Sequence, residues 1–297
     1  MALIAFDLDN TLGYFSHVGV WADFFSVQTL ENSLNRILNP NFKISDALRQ
    51  TLVGAEKLYI DKILKSEEIL KSVLRPNLDA MIKPLIKAKK EGKIRAICIY
   101  SNTWNTFSVH LGKVLIETIY DAPNFFDAVV DASHAIRKAD WGLRTQGNQI
   151  KTFGVLKSIF KDLCNVKGEI NPSDILFVDE RPTKHVIQES EANGLVYLKP
   201  SVYLPNVPMH VLKEVFAIGM EVLNESGLSK NETYLDSDVF HCLKYGGWTE
   251  TNTFIPIKCI HDLVEMTESS LKGLENTGVP FINDTKHIKK VISAFLI

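Results

Sequence analysis

The amino-acid sequence predicts an α/β protein built on a Rossmann-like parallel sheet, and three observations support this fold class. Short apolar runs alternate with segments of helical periodicity along residues 2–198, which is the order that βαβ units produce. Polar residues directly follow three of the apolar runs. The chain has 297 residues, of which 45% are hydrophobic and 23% charged, so it can bury a core of good size.

Each predicted strand is a short apolar run. The first covers residues 2–8, and the others follow, in chain order, at 95–100, 125–131, 175–178 and 194–198. Apolar residues at three- and four-residue spacing predict helices between the strands. These helices cover, in chain order, 22–37, 45–55, 56–73, 76–92, 106–120, 151–163 and 183–192.

Residues 201–297 differ in character from the alternating pattern that precedes them. Two helices are predicted there, over 208–224 and 258–274, on either side of a polar, turn-rich stretch. The segment contains no catalytic motif. We therefore interpret it as a mainly helical C-terminal extension, whose surface is a candidate site for a protein partner.

The overall composition argues against several functional classes. The formal net charge is -2, so no global charge favours binding to nucleic acid or to an anionic membrane. No stretch approaches the roughly 18 uncharged apolar residues of a membrane span, and the N-terminus lacks the charged start of a signal peptide. Four scattered cysteines without a CxxC pair indicate reduced thiols in an intracellular protein, with neither a disulfide framework nor a zinc site.

Polar side chains follow three of the predicted strands. Asp7 and Asp9 end the first strand, Ser101 follows the second, and Asp179 and Glu180 follow the fourth. In a parallel sheet wound by helices, binding sites form beyond the carboxyl ends of the strands. The sequence therefore predicts that these five residues contribute to one site.

Asp7 and Asp9 are two carboxylates separated by one residue. In an extended segment, residues i and i+2 point the same way, and two close like charges resist ionising together unless a cation joins them. Mg²⁺ commonly binds one or two carboxylates together with a substrate phosphate. A carboxylate can also act as a nucleophile and pass through an aspartyl-phosphate, while its neighbour transfers the protons. Such a reaction needs further positive charge and donors for the phosphoryl oxygens.

Four segments resemble the motifs of the haloacid dehalogenase (HAD) superfamily. DLDNTL at 7–12 is similar to the first motif, DxDxT, YSNT at 100–103 to the second, and FVDERP at 177–182 to the fourth. The lysine of the third motif normally starts the helix before the fourth-motif strand. Lys151 fits this description, 28 residues before the first acid of that motif, whereas the rival Lys138 lies in an irregular stretch with no helix directly behind it.

A closer resemblance is to phosphatases of the NLI-interacting-factor, or CTD-phosphatase-like, branch, particularly the divergent forms carried by large DNA viruses. It rests on Gly13-Tyr14-Phe15, Leu74-Arg75-Pro76, Arg144-Thr145 and His185.

The resemblance to the superfamily implies a Mg²⁺ site with distinct roles for its acids. Asp7 would be the nucleophile and a metal ligand, and Asp9 the general acid/base, with its backbone carbonyl on the metal. Asp179 would be the remaining protein ligand. The fourth motif usually has two adjacent aspartates, and this sequence departs from it with Glu180, whose longer side chain could reach the metal through water.

The resemblance also implies the groups that surround the phosphate. Thr11 would brace the loop of the first motif, and Ser101 and Asn102 would hold phosphate oxygens. Lys151 would neutralise charge on the nucleophile and on the phosphate. Arg144 would either contact the phosphate or pair with an acid.

The expected organisation is a HAD catalytic core of residues 1–12 and 75–200, a helical C1-type cap insertion at 13–74 and the extension 201–297. A cap that closes over the site favours small phosphorylated molecules, whereas the CTD-like branch has an open site for phosphopeptides. The expected activity is Mg²⁺-dependent hydrolysis of a phosphomonoester, either a phosphorylated small molecule or nucleotide, or a phosphoprotein. A HAD fold that serves only as a binding module, with 201–297 as the partner surface, is the alternative from another class.

Overall fold

The structure is a computed structural model that describes residues 1–19, 21–27, 31, 44–103, 106–137, 151–181, 194–228 and 280–297. The strands within these residues are β1 (Ala2–Phe6), β2 (Ile94–Tyr100), β3 (Ala128–Val130), β4 (Ile175–Val178) and β5 (Val196–Leu198). They form one parallel sheet in the order β3-β2-β1-β4-β5, so β1 is central. The predicted α/β fold with a parallel sheet is therefore confirmed.

Helices account for most of the other described residues. They are α1 (Ser16–Gly19), α2 (Ala22–Phe25), α3 (Asp46–Lys65), α4 (Glu67–Val73), α5 (Asp79–Lys90), α6 (Thr106–Ile119), α7 (Phe153–Ser158), α8 (Met209–Glu225) and α9 (Thr285–Phe295). None of these helices has the length and apolar composition needed to cross a membrane. The sequence did not predict α9, and the predicted helices at 183–192 and 258–274 lie outside the described residues.

Strand β1 is anchored between two hydrophobic clusters, one on each face of the sheet. Ile4 and Phe6 belong to the cluster that includes residues of α3, α5 and α6, whereas Leu3 and Ala5 belong to the cluster that includes residues of α7. Successive side chains of a strand point to opposite faces, so a strand that is covered on both sides needs an uninterrupted apolar run. Asp7, which follows this run, is thereby held at the carboxyl end of the central strand.

The helices before the second strand are divided differently from the prediction. The sequence predicted a boundary between residues 55 and 56, but α3 continues across it and ends at Lys65. Its buried residues Leu52, Ala55 and Tyr59 keep helical spacing through that point. The break falls at Ser66, whose Oγ accepts the Ile69 amide in the first turn of α4, at 3.2 Å, and so caps the new helix.

Segment 13–74 contacts the C-terminal part of the chain through a buried tryptophan. Trp21 is fully buried, and its ring packs against the rings of Phe25 and Phe216, with centroids 6.1 and 5.8 Å away. Gly219 of α8 lies directly against this ring, because a Cβ added there would be 2.0 Å from Trp21 Cε2. The predicted boundaries of core, cap and extension stay predictions, and the packing joins residues of all three in one hydrophobic cluster.

Two Gly→Ala substitutions in helices are expected to change stability in opposite directions. Gly219→Ala should lower the free energy of unfolding by about 1–3 kcal/mol, because the new methyl group overlaps the rigid, buried Trp21 ring. Gly54→Ala, on the exposed side of α3, meets nothing within 4 Å and should raise it by roughly 0.5–1 kcal/mol. Urea unfolding of the two variants measures both changes, and equal effects of the same sign would contradict the packing described for Trp21.

Candidate active site

The loop after β1 is compact and closely supported. The Asp7 amide donates to the carbonyl of Val178 at 2.8 Å, which continues the pairing of β1 with β4. Asn10 has φ 62°, in the left-handed region that asparagine tolerates better than most residues. At Gly13 a Cβ would lie 2.5 Å from the carbonyl oxygen of Val73, so the chain can pass there only as glycine.

Three of the predicted site residues meet in a buried ion cluster. Lys151 Nζ donates to Asp7 Oδ1 at 2.5 Å and to Asp179 Oδ2 at 2.8 Å. The register explains why the two acids meet, since Phe6 pairs with Val178 and the residues that follow leave adjacent strands at the same level. Asp7 is 7% exposed, and Lys151 and Asp179 are each 1% exposed.

Lys151 is held by its position just before α7 and by contact with two aromatic rings. It directly precedes Thr152, whose Oγ1 accepts the Val155 amide at 3.3 Å and caps α7. The ammonium group lies 5.8 Å from the centre of the Tyr100 ring and 5.6 Å from that of Phe177, within the range of cation–π attraction. The Tyr100 hydroxyl also accepts the Thr152 amide, at 3.3 Å. These contacts restrict the position of the charge.

Thr11 and Glu180 form two hydrogen bonds with each other, and each residue donates one of them. The Thr11 hydroxyl donates to Glu180 Oε2 at 2.5 Å, and the Glu180 amide donates to Thr11 Oγ1 at 3.1 Å. The loop of the first motif is thereby tied to the loop of the fourth. On the other side of that loop, the Tyr197 hydroxyl donates to the Asp179 carbonyl at 2.6 Å. Tyr197 was not singled out from the sequence, because its contact is with backbone.

The acids of the site suit a hard divalent cation. Among the described residues, Asp7, Asp179 and Glu180 each offer a carboxylate oxygen, and the three oxygens lie within 4.8 Å of one another. Asp9 is half-buried nearby and is not a member of this group. Lys151 pairs with Asp7 and Asp179, and the exposed Arg181 pairs with Glu180 at 3.3 Å, so two cations face three carboxylates. An all-oxygen donor set with excess negative charge suits Mg²⁺.

Burial and the neighbouring charges shift the pKa values of the site residues. Burial, opposed by Lys151, raises the pKa of Asp7 well above its usual range, and Asp179 and Glu180 raise it further. Burial, followed by repulsion from Asp7, raises the pKa of Asp9 to about 7. Burial lowers the pKa of Lys151, but attraction to Asp179 and Asp7 outweighs it, and the net pKa is raised. A carboxyl group with a pKa near neutrality can both donate and accept a proton.

Ser101 and Asn102 are positioned by a buried arginine. The Ser101 amide donates to the Val130 carbonyl at 2.8 Å, which places it at the end of β2. Arg137 Nη1 donates to the Ser101 carbonyl at 2.7 Å, and its Nη2 donates to Asn102 Oδ1 at 2.9 Å. Its guanidinium lies over the Tyr100 ring, 4.9 Å from the centre. The sequence offered no signal for this role, because Arg137 ends a short 3-10 turn and belongs to none of the motifs.

The structure thus brings Asp7, Lys151, Asp179 and Glu180 into contact or near contact, and ties Thr11 to Glu180. Arg144, together with the rival Lys138 and His185, lies outside the described residues.

Comparisons with known proteins give distant structural matches. No protein-family model and no curated protein matches the chain. One similar solved structure is a HAD-superfamily hydrolase, subfamily IA, variant 1, from Geobacter sulfurreducens, with 11% identity over 69% of this chain and 92% of that chain, at a TM-score of 0.32. Another is CbbY from Rhodobacter sphaeroides in complex with phosphate, with 13% identity over 68% of this chain and 87% of that chain, at a TM-score of 0.34. Because both TM-scores are below 0.5, neither match supports a conclusion about activity.

Proposed function

We propose that the chain is a Mg²⁺-dependent phosphomonoester hydrolase of the HAD type. The observation that carries this proposal is the buried cluster in which Lys151 Nζ bridges Asp7 Oδ1 and Asp179 Oδ2. Removing three charges from water is costly, and a merely structural ion cluster could be replaced by apolar residues without loss of stability. The cluster lies at the carboxyl ends of β1 and β4, and Ser101 follows the neighbouring strand β2, so this placement supports a catalytic role.

The proposed reaction has two steps that use residues of this chain. In the first, an Asp7 carboxylate oxygen attacks phosphorus, the bond from phosphorus to the ester oxygen breaks, and Asp9 gives its proton to that oxygen. In the second, Asp9 takes a proton from water, whose oxygen attacks phosphorus and releases inorganic phosphate and the Asp7 carboxylate. Lys151 stabilises negative charge on both Asp7 and the phosphoryl group, and Ser101 and Asn102 orient the phosphoryl oxygens.

The metal ion would be held by Asp7 and Asp179, with Glu180 close enough to contribute directly or through water. When bound, Mg²⁺ supplies positive charge that stabilises the phosphoryl oxygens in the transition state. The Thr11 hydroxyl holds the Glu180 carboxylate, which is one of the acids around the proposed metal position.

The test is hydrolysis of an aryl phosphate by the full-length protein with Mg²⁺ and with excess EDTA. We expect turnover that requires Mg²⁺ and disappears with the chelator. A panel of phosphopeptides, nucleotides and sugar phosphates then identifies the substrate class, for which we propose either a phosphorylated small molecule or a phosphoprotein. No turnover of any compound with Mg²⁺, together with a stable complex formed through 201–297, would reject the hydrolase in favour of a binding module.

A further inference from the structure

Arg75 is buried beneath the loop of the first motif and is fully engaged by its neighbours. The residue is 1% exposed. Its Nε donates to Asn77 Oδ1 at 2.6 Å, and its Nη1 donates to the Ser201 carbonyl at 2.6 Å. Its Nη2 donates to both carboxylate oxygens of Asp284, at 2.9 and 3.0 Å, and to Ser201 Oγ at 2.8 Å. These partners stabilise the buried guanidinium, because a buried charge that loses its counter-ion strongly destabilises the folded protein.

Asp284 connects this network to the C-terminal helix. It is the residue before α9, yet its carboxylate makes no capping bond to that helix. The carboxylate instead accepts the Ser201 amide at 2.5 Å and the Asn77 amide group at 2.7 Å, in addition to Arg75. Helix α9 itself is held by Ile288 and Ile292, which are buried in the hydrophobic cluster that includes α5. The carboxylate therefore faces into the protein rather than along its own helix.

Arg75 and Tyr203 together donate hydrogen bonds to three consecutive carbonyl groups of the loop after β1. The Arg75 amide donates to the Leu12 carbonyl at 3.2 Å, and Arg75 Nη1 contacts the Thr11 carbonyl at 3.4 Å. The Tyr203 amide donates to the Asn10 carbonyl at 2.9 Å.

Aromatic rings close the space around the arginine. The Phe281 ring lies 5.2 Å from the Arg75 guanidinium carbon and meets the Tyr203 ring edge-on at 5.9 Å. Tyr203 and Phe281 belong to or pack against the hydrophobic cluster on one face of the sheet, whereas the residues of α7 belong to the cluster on the other face. The backbone that carries Thr11 is fixed by chain segments far away in sequence.

We propose that Arg75 and Asp284 are positioning residues of the active site, and that the C-terminal segment 280–297 belongs to the catalytic unit. The inference rests on the proposed function. Because the Thr11 hydroxyl fixes Glu180, and residues 10–12 directly follow Asp9, a shift of this loop changes the geometry of both acids. A displacement of about 1 Å at reacting groups can cost about 100-fold in rate.

The test compares Asp284→Asn with Asp79→Asn in the full-length protein. Both substitutions neutralise an aspartate that pairs with a cation, and Asp79 pairs with Lys83 at 2.5 Å on the exposed face of α5. A third variant, Arg75→Lys, keeps the charge but loses the planar fork that reaches Ser201 and Asp284 together. Each rate is measured with an aryl phosphate and Mg²⁺, well below the thermal midpoint of that variant.

We expect Asp284→Asn and Arg75→Lys to lower kcat about 10- to 100-fold with little change in KM, and Asp79→Asn to keep wild-type kinetics. A structural role alone would lower the thermal midpoint without this change in kcat. Wild-type kcat in Asp284→Asn would overturn the inference.

Hydrogen exchange provides a readout that is independent of turnover. In Asp284→Asn, the amides of Leu12 and Arg75 should exchange faster than in Asp79→Asn, while that of Ile4 in β1 stays protected. Unchanged exchange at Leu12 and Arg75 would show that the pair does not hold the loop. If the wild-type protein hydrolyses no phosphate ester, the proposed function is wrong, and the exchange measurement alone decides whether Asp284 supports the loop.

Discussion

Replacement of Asp7 by asparagine is expected to abolish turnover and, without metal, to stabilise the folded protein. The substitution removes the proposed nucleophile, so the rate should fall by about four orders of magnitude or more. Burial raises the pKa of Asp7, which means that its ionised form is less favourable in the folded protein than in the unfolded chain. A neutral asparagine removes this cost, and Lys151 keeps its bond to Asp179. Aryl phosphate kinetics and urea unfolding in EDTA measure the two effects.

Asp131 offers a matched control for Asp7. It also follows a strand and is 6% exposed, but its Oδ1 accepts the Ser133 and His134 amides, at 2.7 and 3.0 Å, and its Oδ2 accepts the Thr106 hydroxyl at 2.8 Å. Asp131→Asn should therefore lower the free energy of unfolding, by about 1–3 kcal/mol, and retain turnover. Loss of stability without loss of activity in Asp7→Asn would show that Asp7, like Asp131, is a structural acid.

The sequence predicted those site residues that directly follow a strand. A run such as Leu3-Ile4-Ala5-Phe6 marks a buried parallel strand, and such a strand must end at the edge where sites form. Local sequence therefore located Asp7, Ser101 and Asp179 without information about how the strands pair. The register of β1 with β4 then brings the first and last of these to the same level.

The supporting residues were not predictable, because their partners are backbone groups or residues distant in sequence. Arg137 binds the Ser101 carbonyl, and backbone acceptors leave no trace in a pattern of side chains. Arg75 and Asp284 are separated by 209 positions, and neither periodicity nor composition relates them. The Leu74-Arg75-Pro76 segment predicts a helix start and carries part of the resemblance, but neither indicates that its arginine joins the first loop to Asp284.

For the helices too, the local pattern predicted some features and missed others. Periodicity predicted the apolar faces of α5, α6 and α8 within a few residues of their observed ends. It did not find the break between α3 and α4, because Ser66 interrupts the backbone by capping and leaves the apolar spacing on either side intact. Helix α9 was not predicted either, although Ile288, Val291, Ile292 and Phe295 recur at helical spacing and face the hydrophobic cluster.

Replacement of Lys151 by methionine, which has a similar shape and no charge, is expected to lower both activity and stability. The rate should fall about 100- to 1000-fold, because a positioned donor to the reacting groups is lost. Without metal, Asp7 and Asp179 then face each other with no shared cation, and removal of one partner from a buried ion pair costs about 3–5 kcal/mol. Aryl phosphate kinetics and urea unfolding in EDTA give the two values.

Added Mg²⁺ should distinguish the contribution of Lys151 to stability from its contribution to the rate. A divalent cation held by Asp7 and Asp179 replaces the missing positive charge, so added Mg²⁺ should recover much of the lost stability but not the rate. The matched control is Lys89→Met, since Lys89 bridges Asp127 and the Asn124 and Phe125 carbonyls outside the site. That variant should lose stability, keep its rate and gain no more from Mg²⁺ than the wild-type protein does. Equal recovery of both variants by Mg²⁺ would mean that the ion acts elsewhere than between Asp7 and Asp179.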